Sequence, residues 1–118
     1  MSRDHSKLKV FAMADELVIA VYRTTKSFPS EERFGLVSQL RRAALSVPTN
    51  IVEGCTRRST RDYVRFVEIA LGSASEVRYL LDVSQRLGFL SKADRERIDE
   101  ECAALLRSLQ RLVNSLAS

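Results

Sequence analysis

The chain has few of the residues that interrupt helices or build catalytic and metal sites. It contains four glycines, two prolines, no tryptophan, two cysteines and one histidine among 118 residues. So little glycine and proline, in a sequence that is 45% hydrophobic and 29% charged, is typical of a helical globular protein and argues against disorder. Cys55 and Cys102 lie far apart, without companion ligands at metal-binding spacing, which excludes a disulfide framework or zinc site. We expect free, buried thiols and a cytoplasmic location.

Long apolar runs are also missing. Asp15 and Glu16 interrupt the first apolar stretch, and no small-residue cleavage site follows it. The sequence therefore predicts neither a signal peptide nor a membrane span. A chain of this length is expected to form one domain, here residues 1–118.

The residues that enzymes of common classes require are not combined in this chain. The single histidine, His5, lies near the start of the chain, so triad and histidine acid-base chemistry lack their central residue. Glu68 and Glu76 have no Glu-x-x-His partner motif for a di-iron bundle, and no histidine is placed to activate Cys55. We predict a protein without catalytic activity, metal or cofactor. An enzyme would need a metal that the sequence does not indicate.

Apolar residues recur every three or four positions along four stretches of the chain, which is the period of amphipathic helices. The pattern predicts helices at about residues 7–27, 31–57, 60–87 and 92–116. Ser30, Ser59 and Ser91 are placed to cap the last three helices, and Gly88 to end the third. Four helices with short connections predict an all-α, antiparallel up-down-up-down four-helix bundle.

The second helix keeps its apolar rhythm straight through Pro48. The positions that share this stripe are Leu36, Leu40, Ala44, Val47 and Ile51. An interior proline removes a backbone hydrogen bond and costs about 3 kcal/mol or more unless the surroundings support it. We therefore predict one helix with a supported kink at Pro48.

Two segments carry a family resemblance: QLRRAALSVPTNIVEG (residues 39–54) and RFVEIALGSASEVRYLL (residues 65–81). They resemble the bacterial four-helix-bundle proteins encoded in intervening sequences of large-subunit (23S) ribosomal RNA genes. The resemblance is most specific at Pro48, Asn50, Glu53 and Gly54, to which it assigns structural roles. It implies a four-helix bundle, often a homopentamer, with no established catalytic activity. It also implies a distant relation to the accessory protein of diversity-generating retroelements, and hence nucleic-acid binding.

Two helices carry more apolar surface than one bundle core needs. Twelve of the fifteen residues from Leu8 to Tyr22 are apolar. The extra positions predict an interface between copies: Val10, Met13 and Leu17 on the first helix, with Ile69, Gly72, Tyr79 and Val83 on the third. The alternative is that neighbouring helices of the same chain cover these wide stripes.

A polar face follows the second helix. It consists of Gln39, Arg42, Ser46, Asn50, Glu53 and Arg57, spaced three or four residues apart. If this face is exposed to solvent, it adds little to the stability of the protein beyond a weak Glu53–Arg57 ion pair. If a partner subunit covers it, its groups must pair across the interface, for example with Glu76 or Glu68.

Basic charge is concentrated around the predicted turn between helices two and three. The net charge is +4, and fifteen of the nineteen basic residues are arginine, which suits phosphate recognition but also fits a GC-rich coding bias. The densest cluster consists of Arg57, Arg58, Arg61 and Arg65. It predicts weak, salt-sensitive and sequence-independent binding of RNA or DNA, reinforced if copies assemble into a ring. The alternatives are a solvated helix end, and a protein–protein adaptor or scaffold that binds no nucleic acid.

Overall fold

The computed structural model describes residues 3–117, and within them every regular element is helical. The four α-helices are α1 (Lys9–Thr25), α2 (Leu36–Cys55), α3 (Thr60–Arg86) and α4 (Lys92–Ala117), with short 3-10 turns at His5–Lys7 and Ser30–Glu32. The predicted all-α class is confirmed. Of the predicted domain at 1–118, residues 1, 2 and 118 lie outside the described residues. No helix in the described part is long and apolar enough to cross a membrane.

The helices pack as a four-membered bundle. Each one contacts two others, through the pairs α1–α2, α2–α3, α3–α4 and α1–α4. The molecule is elongated, with extents of 45 × 23 × 19 Å. The bundle encloses one apolar core to which all four helices contribute. Fully buried members include Leu17, Leu40, Ile51, Val67, Leu81, Ile98, Leu105 and Leu109. A four-helix bundle is thus confirmed, whereas the up-down-up-down order stays a prediction.

Both thiols are free and buried. Burial raises the pKa of Cys102 to about 12, with a further rise from nearby Asp99. The thiol is therefore protonated at neutral pH and behaves as a small apolar side chain.

The start of α2 differs from its predicted position. The sequence placed it at residue 31, capped by Ser30, but residues Ser30–Glu32 form a 3-10 turn and α2 begins at Leu36. Glu32 supplies the cap, because its Oε1 accepts a hydrogen bond from the backbone N–H of Leu36 at 3.1 Å. The predicted start at residue 31 was wrong because the side chain of Glu32 caps a helix that begins four residues later, at Leu36. The other predicted helix limits lie within two residues of the observed ones.

The other predicted helix signals are confirmed. Ser59 Oγ accepts the N–H of Asp62, and Ser91 Oγ accepts the N–H of Asp94, each at 3.1 Å. Gly88 has a φ of +82° just after α3. This left-handed conformation favours glycine and reverses the chain towards α4.

Pro48 lies buried inside α2, and the helix continues through it, so one helix spans both sides as predicted. Proline cannot donate to the carbonyl of Ala44. Two neighbouring side chains donate within the same region, Thr49 Oγ1 to the Leu45 carbonyl at 2.9 Å and Asn50 Nδ2 to the Ser46 carbonyl at 2.7 Å. Neither bond ends on the Ala44 carbonyl that Pro48 leaves free, and side-chain bonds to the carbonyl four residues earlier are common where helices bend. A bend there stays a prediction.

Candidate nucleic-acid interface

The four predicted arginines are all exposed and lie around the α2–α3 connection. Arg57 and Arg58 are in the connection itself, and Arg61 and Arg65 are in the first two turns of α3. Arg57 Nη2 lies 3.8 Å from Glu53 Oε2, and both side chains are largely solvent-exposed. Such an exposed pair adds little stability and leaves the guanidinium available to other anions.

Two buried aromatic rings lie beneath these arginines. Tyr63 is 1% exposed and Phe66 is 8% exposed, as expected from the sequence. The Arg57 Cζ lies 4.6 Å from the centroid of Phe66, and the Arg65 Cζ lies 5.3 Å from the same centroid. Cation–π attraction therefore restrains two of the predicted arginines against one ring.

Arg3 belongs to the same surface, although sequence reasoning did not identify it. Its backbone N–H donates to the Cys55 carbonyl at 2.8 Å, which ties the start of the described chain to the end of α2. Its Cζ lies 4.1 Å from the Tyr63 ring centroid. No local pattern could have revealed a contact between residues sixty positions apart. We call Arg3, Arg57, Arg58, Arg61 and Arg65 together the arginine surface.

The hydroxyl group of Tyr63 is buried. Its oxygen has no hydrogen-bond partner within residues 3–117. Burial raises the pKa of Tyr63, and nearby Cys55 raises it further while Arg3 opposes the shift. The hydroxyl therefore stays protonated and neutral, so Tyr63 contributes a ring for Arg3 and no charge of its own.

Gly54 explains why the rings sit so close to α2. A Cβ at this position would lie 3.0 Å from Phe66 Cβ and 3.1 Å from Tyr63 Cδ1, closer than ordinary contact. The absence of a side chain lets α3 approach the last turn of α2. That approach places Phe66 beside Arg57 in the following connection.

Acidic residues limit the positive charge on one side of the arginine surface. A shallow groove at the start of α3 is lined by Arg61, Arg65, Asp62 and Glu68, together with Thr60, Val64 and Leu116. The two carboxylates offset the two guanidinium groups there. Arg3 and Arg58 lie outside this groove.

The predicted interface residues fall into two groups. Val10 and Leu17 are 7% and 1% exposed and lie in the core of a single chain. Assigning them to an interface was therefore wrong, because neighbouring helices of the same chain already cover them. Met13 is half-buried against that core.

The α3 members of the predicted interface remain accessible. Ile69 is 45% exposed and Tyr79 is 62% exposed, whereas Val83 is half-buried. A Cβ added at Gly72 would meet nothing within 4 Å. This stretch of α3 is available to a second protein surface.

Some polar side chains on the polar face of α2 form hydrogen bonds within the same chain. Ser46 Oγ and Ser73 Oγ share a hydrogen bond of 2.8 Å, and Asn50 Nδ2 donates to Ser46 Oγ at 3.0 Å. The helix-three partner is therefore Ser73, which the sequence did not predict. Glu76 lines the same groove with Gln39 and Arg42, while Glu68 lies in the groove beside Arg61.

A second groove, between α1 and α4, holds an unpaired carboxylate. Its lining includes Asp15, Glu16 and Glu101 with Arg23 and Arg97. Glu101 Oε2 is buried without a hydrogen-bond partner among the described residues. Desolvation raises the pKa of Glu101, Arg97 lowers it, and Glu16 raises it again. Residues 3–117 contain no cluster of three or more potential ligands that could hold a metal ion.

We expect Glu101→Gln to stabilise the protein slightly, by roughly 0.5 kcal/mol at neutral pH, because an amide is cheaper to desolvate than a carboxylate, while partial exposure and attraction to Arg97 reduce the difference. The raised pKa means that the charged form opposes folding above that pKa. The gain should therefore vanish as the pH falls below the ordinary value of 4.5. Urea unfolding across this pH range measures it. The exposed neighbour change Glu100→Gln is the control, and an equal gain in both variants would contradict the prediction.

Comparisons with known proteins agree with this fold. Residues 6–111 match the family described as 23S rRNA-intervening sequence protein. A crystal structure of a protein with unknown function from the S23 ribosomal protein family of Bacteroides thetaiotaomicron superposes with a TM-score of 0.82. The two chains are 23% identical over 88% of this chain and 97% of the other, which shows a shared fold. No curated protein matches. On the match over residues 6–111, the chain belongs to the 23S rRNA-intervening sequence protein family.

Proposed function

We propose that this protein is a non-enzymatic, cytoplasmic, homo-oligomeric scaffold that binds RNA or DNA through the arginine surface. The observation that carries the proposal is the clustering of five arginines at one end of the bundle, three of them restrained by aromatic rings. Restrained guanidinium groups lose less conformational entropy when they bind phosphate. The contacts would be mainly to the backbone, so binding is expected to be independent of sequence.

Charge reversal tests the nucleic-acid part of the proposal. In a mobility-shift titration, binding should weaken steeply with added salt, and Arg58→Glu with Arg61→Glu should abolish most of it. Arg33→Glu with Lys92→Glu is the matched control, because it changes the net charge equally at two exposed positions, one before α2 and one at the first residue of α4. No binding by the unmodified protein at low salt would refute the proposal.

Assembly of several copies would strengthen the weak binding of nucleic acid by each arginine surface. A ring of copies would present one arginine surface per subunit, and simultaneous contacts raise overall affinity without any new interaction. We assign the contact between copies to the exposed stretch of α3, at Ile69, Gly72, Tyr79 and Val83. A homopentamer is the assembly that the family resemblance suggests.

Gly72→Leu is expected to disrupt assembly without impairing the fold. A Cβ at this position meets nothing within 4 Å, and leucine improves helix propensity by about 1 kcal/mol, but its side chain would occupy the proposed contact. Light scattering should show a lower mass, with helicity by circular dichroism unchanged. Gln110→Leu, at an exposed position on α4 outside the proposed contact, is the control. A Gly72→Leu protein that assembles fully would overturn this interface.

A second candidate function is a protein–protein adaptor without nucleic-acid binding. The specific observation in its favour is the exposure of large apolar side chains beyond the α3 contact. Phe34 is 88% exposed in the turn before α2, and Leu87 is 56% exposed after α3. A partner that covered the exposed Phe34 ring would bury a large apolar area. The titration above separates the two functions.

A further inference from the structure

The five members of the arginine surface differ in how they are held. Arg3 lies over Tyr63, and Arg57 and Arg65 lie over Phe66, at distances of 4.1 to 5.3 Å between Cζ and the ring centroid. Arg58 and Arg61 carry the same charge nearby but contact no aromatic ring among the described residues. We call Arg3, Arg57 and Arg65 the ring-stacked set, and Arg58 and Arg61 the unstacked set. Arg57 differs from the others further in its pairing with Glu53.

A guanidinium group whose Cζ lies over an aromatic ring can lie flat against that ring, and such a group keeps two features free. Its N–H donors point outward in the plane of the group, where they can reach phosphate oxygens. The face turned away from the ring remains available to a second flat group. Unpaired bases stack on arginine planes in this manner in RNA complexes. The rings themselves cannot serve as platforms for bases, because Tyr63 and Phe66 are almost fully buried.

Resting on the proposed function, we infer that the ring-stacked arginines make the surface selective for single-stranded over double-stranded nucleic acid. Bases in a duplex are stacked on both sides and cannot reach an arginine face, so a duplex gains only the phosphate contacts. A single strand gains these contacts and also base stacking on Arg3, Arg57 and Arg65. Lysine retains the positive charge of arginine but lacks its flat face. Substitution by lysine therefore separates the contribution of phosphate contacts from that of base stacking.

The test compares two pairs of charge-conserving substitutions. Arg57→Lys with Arg65→Lys alters the stacked set, and Arg58→Lys with Arg61→Lys is the matched control on the unstacked set. Fluorescence anisotropy is measured with a labelled oligouridine and with an RNA hairpin of the same number of nucleotides whose short, stably folded loop leaves almost no base unstacked. All four positions are exposed, so folding should be retained, and thermal unfolding of each variant checks it.

We expect the unmodified protein to bind the oligouridine more tightly than the hairpin. The stacked-set variant should lose on the order of tenfold in affinity for the oligouridine, about threefold per arginine, with little change for the hairpin. The control pair should change neither affinity appreciably. Arg3→Lys, which retains the backbone bond to Cys55, should lose roughly threefold for the oligouridine alone.

Two results would count against the inference in different ways. If both lysine pairs reduce oligouridine affinity equally, or if the unmodified protein prefers the hairpin, the selectivity is refuted while the proposed function stands. If neither RNA binds at low salt, the proposed function fails and the selectivity fails with it.

Discussion

Gly54→Val should lower the free energy of unfolding by about 3 kcal/mol, because the new side chain has no room between α2 and α3. Its Cβ alone would lie 3.0 Å from Phe66 Cβ and 3.1 Å from Tyr63 Cδ1. Both neighbours are buried and cannot move aside without shifting α3. Urea unfolding at a fixed protein concentration measures the loss.

Gly72→Val is the control for this prediction. It makes the same chemical change inside a helix, but at a position where a Cβ meets nothing within 4 Å. Valine is a better helix former than glycine, so at a protein concentration where light scattering shows only monomers this variant should match or slightly exceed the unmodified protein in stability. Equal unfolding midpoints for the two variants would show that α2 and α3 are not closely packed at Gly54.

Leu40→Ala should cost about 2 to 5 kcal/mol, the range observed when a fully buried leucine is truncated and leaves a cavity. Leu40 is 0% exposed and belongs to the core cluster that all four helices share. Leu45, on the same helix, is 39% exposed, so Leu45→Ala should cost much less. Comparable losses in thermal or urea unfolding would mean that α2 presents a different side to the core than the structure shows.

Local features of the fold were predictable wherever a short-range pattern determines them. The apolar period identified the four helices, and the serine caps at Ser59 and Ser91 located two helix starts. The start of α2 was predicted wrongly because Ser30 matches the usual sequence signal for a helix N-cap. The observed cap comes instead from Glu32, four residues before Leu36. Two residues assigned to an interface, Val10 and Leu17, are core residues because the number of neighbouring helices determines how wide a stripe can be buried.

The candidate site was predictable in charge but not in geometry. The cluster from Arg57 to Arg65 is evident from composition along the chain. The contacts of Arg57 and Arg65 with Phe66, and of Arg3 with Tyr63, depend on how α2, α3 and the first residues pack together. A coding bias explains why arginine is common, but it gives no reason for three arginines to lie over buried rings.

The positions of Arg3 and Leu116 have a consequence for engineering the chain. Arg3 lies over Tyr63, while Leu116 lines the groove shared with Thr60 and Val64. Both ends of the described chain thus flank the first turns of α3. A short flexible linker could join them, and new ends could be opened beside the exposed Phe34 in the α1–α2 connection. Circular permutants and covalently linked tandem copies of this bundle are therefore accessible without rebuilding its core.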